Sequence, residues 1–144
     1  MALARHVEVV PLEGTIAGRT FFCPPQPSDE TQIAELAPDQ PCELFCHRRQ
    51  TDQIILMRGA FNLVVLQGRR LRRITLREDE PTLVRIPPGV PHGAITIGRR
   101  SATVVNAVIR HGPSDPRDFL PRRVPAALMD QWRQLLRECG APEE

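Results

Sequence analysis

Between Thr82 and Ile97 the chain reads TLVRIPPGVPHGAITI, and its middle, IPPGVPHG, packs three prolines and two glycines into eight positions. Proline holds φ near one value and has no amide donor, while glycine accepts φ > 0. A chain cannot run straight through such a segment. It reads as a rigid turn that ends a short strand, Thr82–Ile86, with the next strand beginning at Gly93 or Ala94. His92 is thereby held at the mouth of a strand.

The surrounding sequence has the same punctuation. From Cys42 to His111 short apolar runs alternate with turn signals, predicting strands over 43–47, 53–57, 61–66, 71–76, 82–86, 94–97 and 102–109. Gln67-Gly68 reads as a hairpin turn. Seven or so short strands indicate an all-β sandwich or small barrel. Residues 1–40 read as an N-terminal arm with short strands over His6–Val10 and Thr20–Phe22 and a proline-rich loop over Cys23–Glu30. Within it, Ile33, Leu36 and Ala37 have the spacing of a helical turn, and a short strand fits nearly as well. Residues 41–112 form the barrel core. Residues 113–144 read as a proline-rich linker and a C-terminal helix over 126–139, with Leu128, Trp132, Leu135 and Leu136 on one face.

At 144 residues the chain has the length of one domain, and a net charge of +2 gives no argument for nucleic acid. Its arginine pairs have no aromatic residues between them and read as solvated surface. No window approaches a membrane span, and the first fourteen residues lack a signal peptide's apolar core. A cytoplasmic protein is expected, with Cys23, Cys42, Cys46 and Cys139 as thiols rather than disulfides.

Two clusters converge on the β region: Phe45-Cys46-His47-x4-Asp52-x6-Gly59, and Pro87-x-Gly89-x2-His92. His47 ends one strand and Asp52 begins the next, so a hairpin can bring both to one face, and His92 opens a third strand. These spacings resemble the two motifs of the cupin superfamily. Asp52 stands where that family has glutamate, Phe45 replaces its first histidine, and Thr96 its last asparagine. The resemblance implies a cupin (jelly-roll) β-barrel with the C-terminal α-helix appended.

Within the cupins, IPPGVPHGAITI and the strand leading to His111-Gly112-Pro113 are similar to the dTDP-4-dehydrorhamnose 3,5-epimerases and dTDP-sugar ketoisomerases. That resemblance implies a homodimer that handles a nucleotide-linked 4-keto-6-deoxy sugar by proton transfer without a metal. His47 or His92 is the expected base, Asp52 its orienting carboxylate, and His111 the stand-in for the family's tyrosine acid, since the chain has no tyrosine. Phe45 forms an aromatic wall of the ligand site, and Arg58, Arg85 or Arg110 is the expected diphosphate contact. Two rival readings stand beside it: a mononuclear divalent-metal cupin with His47, Asp52 and His92 as ligands, and a non-catalytic small-ligand-binding cupin.

Overall fold

The structure, a computed structural model, describes residues 6–141; the first five residues of the arm and the last three of the tail lie outside them. Two five-stranded sheets face each other. The first has β1 (Glu8–Pro11), β9 (Thr82–Ile86), β6 (Gln50–Arg58), β11 (Ala102–Arg110) and β4 (Glu30–Leu36) in spatial order. The second has β12 (Leu120–Arg122), β5 (Leu44–Cys46), β10 (His92–Thr96), β7 (Ala60–Gln67) and β8 (Arg70–Arg77). A small hairpin of β2 (Thr15–Ala17) and β3 (Thr20–Phe22) stands apart. All strand pairs are antiparallel, and the all-β jelly roll is the fold observed.

The core lies between the sheets. Leu56, Val84, Ile86 and Val104 from the first meet Phe61, Leu63, Val65, Ile74 and Leu76 from the second. The period-two alternation of a strand produces this division. On β6, Asp52, Ile54 and Leu56 face inward, whereas Met57 is 59% exposed on the outer face. The helix α1 (Met129–Cys139) covers the other sheet, where Trp132, Leu135 and Leu136 pack on Leu44, Val64, Leu71 and Ile95. It follows a 3-10 turn at Ala126–Leu128, and Ile55 and Met57 lie away from it. Burying such large side chains contributes about 1.5–3 kcal/mol each.

Two segments add to the sequence reading. Residues 30–36, where a helical turn and a short strand fit nearly alike, form strand β4, because the open edge of β11 offers pairing from Ala102↔Leu36 to Val108↔Glu30. The linker contains β12, which pairs with β5 through Leu120↔Cys46 and Arg122↔Leu44. Pro121 is tolerated there because β12 is an edge strand. The arm likewise joins the main body, with β1 and β4 at opposite edges of the first sheet.

Gly93 shows how closely β5 and β10 approach. A Cβ on it would lie 2.6 Å from the Glu43 carbonyl oxygen and 2.9 Å from Cys42 Sγ. A backbone neighbour cannot swing away as a side chain can. Gly93→Ala is expected to destabilise the protein by about 1–3 kcal/mol, measured by urea unfolding; an unchanged midpoint would show that β5 has room to move.

Candidate functional site

The turn predicted from IPPGVPHG forms as read. Pro87–Val90 is a type II turn with Pro88 and Gly89 at its centre, Gly89 at φ 80°, and the Val90 amide donating to the Pro87 carbonyl at 3.4 Å. The Gly89 amide donates to the carbonyl of His47 at 2.6 Å, which ties the turn to the end of β5. The Val90 carbonyl then accepts from His92 Nδ1 at 2.9 Å. The strand itself starts at His92, one or two residues before the expected Gly93 or Ala94.

His47, Asp52 and His92 converge. His92 Nε2 is 3.2 Å from Asp52 Oδ2, and His47 Nε2 is 3.8 Å from the same oxygen. Asp52 and His92 are buried. The register that creates this cluster joins distant segments: His92 pairs with Phe45 across β5–β10, and Asp52 pairs with Ile86 across β6–β9.

The surrounding hydrogen bonds assign proton positions. A backbone carbonyl only accepts, so His92 Nδ1–H donates to Val90; its Nε2 faces the Asp52 carboxylate and donates there. His47 Nδ1 donates to the carbonyl of Asp118. That leaves His47 Nε2 as the unprotonated nitrogen, facing the cavity, with the Asp52 charge close enough to stabilise a proton placed on it.

Asp52 is held as an acceptor on its other oxygen. Gln50 Nε2 donates to Oδ1 at 2.6 Å and Asn106 Nδ2 at 3.0 Å. Neither amide is free to flip: Gln50 Oε1 accepts from Arg110 at 2.7 Å, and Asn106 Oδ1 accepts from the Gln53 amide at 2.9 Å. Burial pushes the Asp52 carboxyl up, but the hydrogen bond and charge of His92, with Asn106 and Gln50, outweigh it and hold it below the usual carboxylate range.

The cluster opens into a cavity of about 480 Å³ between the sheets, walled by Phe45, Ile54, Phe61, Leu63 and Val104. The Phe45 ring centroid is 4.6 Å from that of His92 and 4.4 Å from that of Phe119, on which it stacks. Phe45 thus lines the cavity beside the cluster. Cys42 also lines the cavity. Burial, then Cys139 and Glu43, push its thiol up to about 12, so it stays protonated and is no nucleophile near neutral pH. The four cysteines are free thiols.

Four expected site residues lie elsewhere. His111 follows β11 at an odd-numbered position, and alternation sends it to the outer face, where its Nε2 meets Thr51 Oγ1 at 2.7 Å. It does not approach the cluster. Arg85, paired in register with Gln53, also faces outward and bonds Gln53 at 3.0 Å and Glu8 at 3.0 Å. Arg58, at the far end of β6 from Asp52, reaches Thr103 Oγ1 at 3.4 Å. Arg110 has inward parity, but its guanidinium is taken by Gln50, Ser114 and Glu30. It acts on the cluster only through Gln50.

Sequence reasoning missed Gln50, Asn106, Asp118 and Phe119. Asn106 could have been found as the one amide side chain inside the mostly apolar run 102–109. Asp118 and Phe119 carry no local signal, because only the return of β12 to β5 brings them here. The Asp118 carboxylate caps the amides of Arg48 and Arg49 at 2.8 and 3.0 Å, fixing the segment behind His47.

No family model matches the sequence, and no curated protein matches it. Solved structures do. A dTDP sugar isomerase from Desulfovibrio desulfuricans G20 is 22% identical, with 88% of this chain and 90% of that chain covered and a TM-score of 0.66. A mutant 3,4-ketoisomerase from Thermoanaerobacterium thermosaccharolyticum, in complex with TDP-4-keto-6-deoxyglucose, is 11% identical over 92% of this chain and 97% of that one, at TM-score 0.63. A dTDP-4-dehydrorhamnose 3,5-epimerase from Sulfolobus tokodaii is 15% identical over 83% and 78%, at 0.64. The chain therefore has the cupin fold found in dTDP-sugar isomerases and dTDP-4-dehydrorhamnose 3,5-epimerases.

Proposed function

We propose that the cavity performs metal-free proton transfer at a carbon next to a carbonyl, as an isomerase or epimerase of a 4-keto-6-deoxy sugar. The observation that carries this reading is His47: its tautomer is set by the Asp118 carbonyl, and its free Nε2 faces both the cavity and the Asp52 carboxylate. A base needs an open lone pair and a nearby charge to stabilise the proton it accepts. His92, with Nδ1 on the Val90 carbonyl and Nε2 facing Asp52, is the second histidine of the site and the group placed to stabilise the enolate. The neighbour in complex with TDP-4-keto-6-deoxyglucose supports the sugar class and, with the motif resemblance, a nucleotide-linked form of it. Solvent deuterium entering a carbon beside the carbonyl tests the reading, and bound ligand with no exchange leaves a binding protein.

A metal-dependent reading has its own observation. The ligand atoms of His47, Asp52 and His92 lie within 4.8 Å of one another, and both histidines have Nδ1 anchored to a backbone carbonyl, which suits ligation through Nε2. The three would supply a facial set for a divalent ion acting as a Lewis acid. Against it, Phe45 closes one side of the cluster with a ring in place of a fourth donor. Protein purified without added metal is expected to contain well under one equivalent by elemental analysis. Stoichiometric iron, zinc, nickel or manganese, lost in His92→Ala, would favour the metal reading.

A further inference from the structure

The buried stripe of α1 does not end at Leu136. Trp132, Leu135, Leu136 and Cys139 fall at i, i+3, i+4 and i+7, so Cys139 continues the sheet-facing side at the last residue of the helix. Beneath it the sheet presents a second thiol. Strand β5 turns Leu44 toward the helix and Phe45 toward the cavity, and the same alternation turns Cys42 to the helix side. A Cβ on Gly93 of β10 would lie 2.9 Å from Cys42 Sγ, while Cys139 lines a groove with Ala94 and Ile95 of the same strand. Both cysteines therefore pack on one apolar cluster, that of Leu44, Val64, Ile95 and Leu136. Cys42 stands where this cluster meets the cavity wall.

The two thiols differ in their surroundings. Arg73 Nη1 donates to Cys139 Sγ at 3.7 Å, so a cation is already in place beside a Cys139 thiolate. The Cys42 thiol is pushed up to about 12 by burial, then by Cys139, then by Glu43. The effect of Cys139 puts the two sulfurs within one another's field. Once Cys139 is bonded to another sulfur its charge is gone, and that part of the rise goes with it. Cys139 also precedes the left-handed Gly140 (φ 70°), at a helix end where the backbone can adjust to the geometry a disulfide requires.

We propose that Cys42 and Cys139 are a redox-responsive pair, closed into a disulfide by a low-molecular-weight disulfide such as oxidised glutathione. The structure holds the open state, with both as free thiols. The Cys139 thiolate attacks one sulfur of the oxidant and forms a mixed disulfide. The first glutathione leaves with the proton that Cys139 had given up. Cys42 then attacks the Cys139 sulfur, and its proton goes to the second glutathione, which leaves as a thiol. Two protein thiols are oxidised and one disulfide of oxidant is reduced. The bond ties the end of α1 to the segment entering β5, the strand that carries Phe45 and leads to His47, and closes a loop of about 100 residues. The clasp is independent of the chemistry assigned to the cavity.

The full-length chain is incubated in glutathione buffers from fully reduced to fully oxidised and alkylated, and its disulfide-linked peptides are mapped by mass spectrometry. Oxidised wild type is expected to carry a Cys42–Cys139 link within one chain and a raised urea midpoint, both reversed by dithiothreitol. Cys23 is exposed and takes up glutathione independently, whereas Cys46, 1% exposed, stays reduced. In Cys42→Ser, glutathione is expected to remain on Cys139. In Cys139→Ser, Cys42 is expected to react at least about tenfold more slowly, because burial keeps its thiol protonated. Overturning results are a glutathione adduct that persists on Cys139 of the wild type, a link to Cys46 or between two chains, or both thiols unchanged in fully oxidised buffer. Cys42 capturing glutathione as fast as Cys139 would overturn the assigned order of attack.

Discussion

Asp52→Ala is expected to lower stability by about 3–5 kcal/mol, because it removes a buried carboxylate that pairs with His92 and accepts from two buried amides. The carboxylate accepts from Gln50 and Asn106 on one oxygen and faces both histidines with the other. Removing it orphans two amide donors as well as His92 Nε2. Asp52→Asn keeps the shape but brings an N–H toward donors, and is expected to cost nearly as much. Double substitution with His92→Leu should recover a large part of the loss, since an apolar pair needs no compensation. The same logic gives a pH dependence. A carboxyl whose folded-state pKa is lowered contributes stability above its unfolded value of about 3.9, and loses it as pH falls through the folded value. The acid unfolding limb of the wild type should therefore be steeper than that of the Asp52→Ala, His92→Leu double variant. Urea unfolding at neutral and acid pH measures both; equal limbs would mean that Asp52 is not ionised in the folded protein.

His47→Ala is expected to reduce proton transfer by about 10²- to 10⁴-fold with little loss of fold. The side chain is partly exposed at the cavity wall, so its removal leaves no large void. His47→Gln is the sharper variant: its amide can still reach the Asp118 carbonyl, but it brings no basic nitrogen. Asp118→Ala should do less harm than either. His47 is oriented by the backbone carbonyl of Asp118, which survives the substitution, whereas the lost carboxylate caps only the Arg48 and Arg49 amides. Initial rates for the three variants, with circular dichroism to confirm folding, give the ranking. An Asp118→Ala loss equal to that of His47→Ala would assign the proton chemistry to the carboxylate instead.

The parts of this molecule that were legible in the sequence are those whose cause is local. The IPPGVPHG turn is dictated by proline and glycine conformations, and it delivered His92 to the mouth of the cavity. His47 and Asp52 meet because they flank one short turn, and the apolar stripe of Leu128, Trp132, Leu135 and Leu136 placed α1. What was not legible depends on pairing between distant segments. Ile33, Leu36 and Ala37 have helical spacing, but the open edge of β11 recruits residues 30–36 into β4, where Gln32, Ala34 and Leu36 turn inward. The direction of an arginine cannot be read from its neighbours in sequence. Strand parity turns Arg85 outward, and the buried amide of Gln50 draws Arg110 away from the cavity. His111 was placed by analogy with a missing tyrosine, and the alternation along β11 sets it on the wrong face. Asp118 and Phe119 reach the site only because β12 folds back on β5.

Whether His47 moves a proton is tested most directly by incubating the metal-free wild-type protein with a 4-keto-6-deoxy sugar in deuterated water and following carbon-bound deuterium by NMR. The expected result is deuterium at a carbon adjacent to the carbonyl and at no other, at a rate that chelators do not change, and lost in both His47→Ala and His92→Ala. Ligand bound in the cavity with no deuterium incorporated, or incorporation that begins only when a divalent metal is added, would contradict the acid–base site.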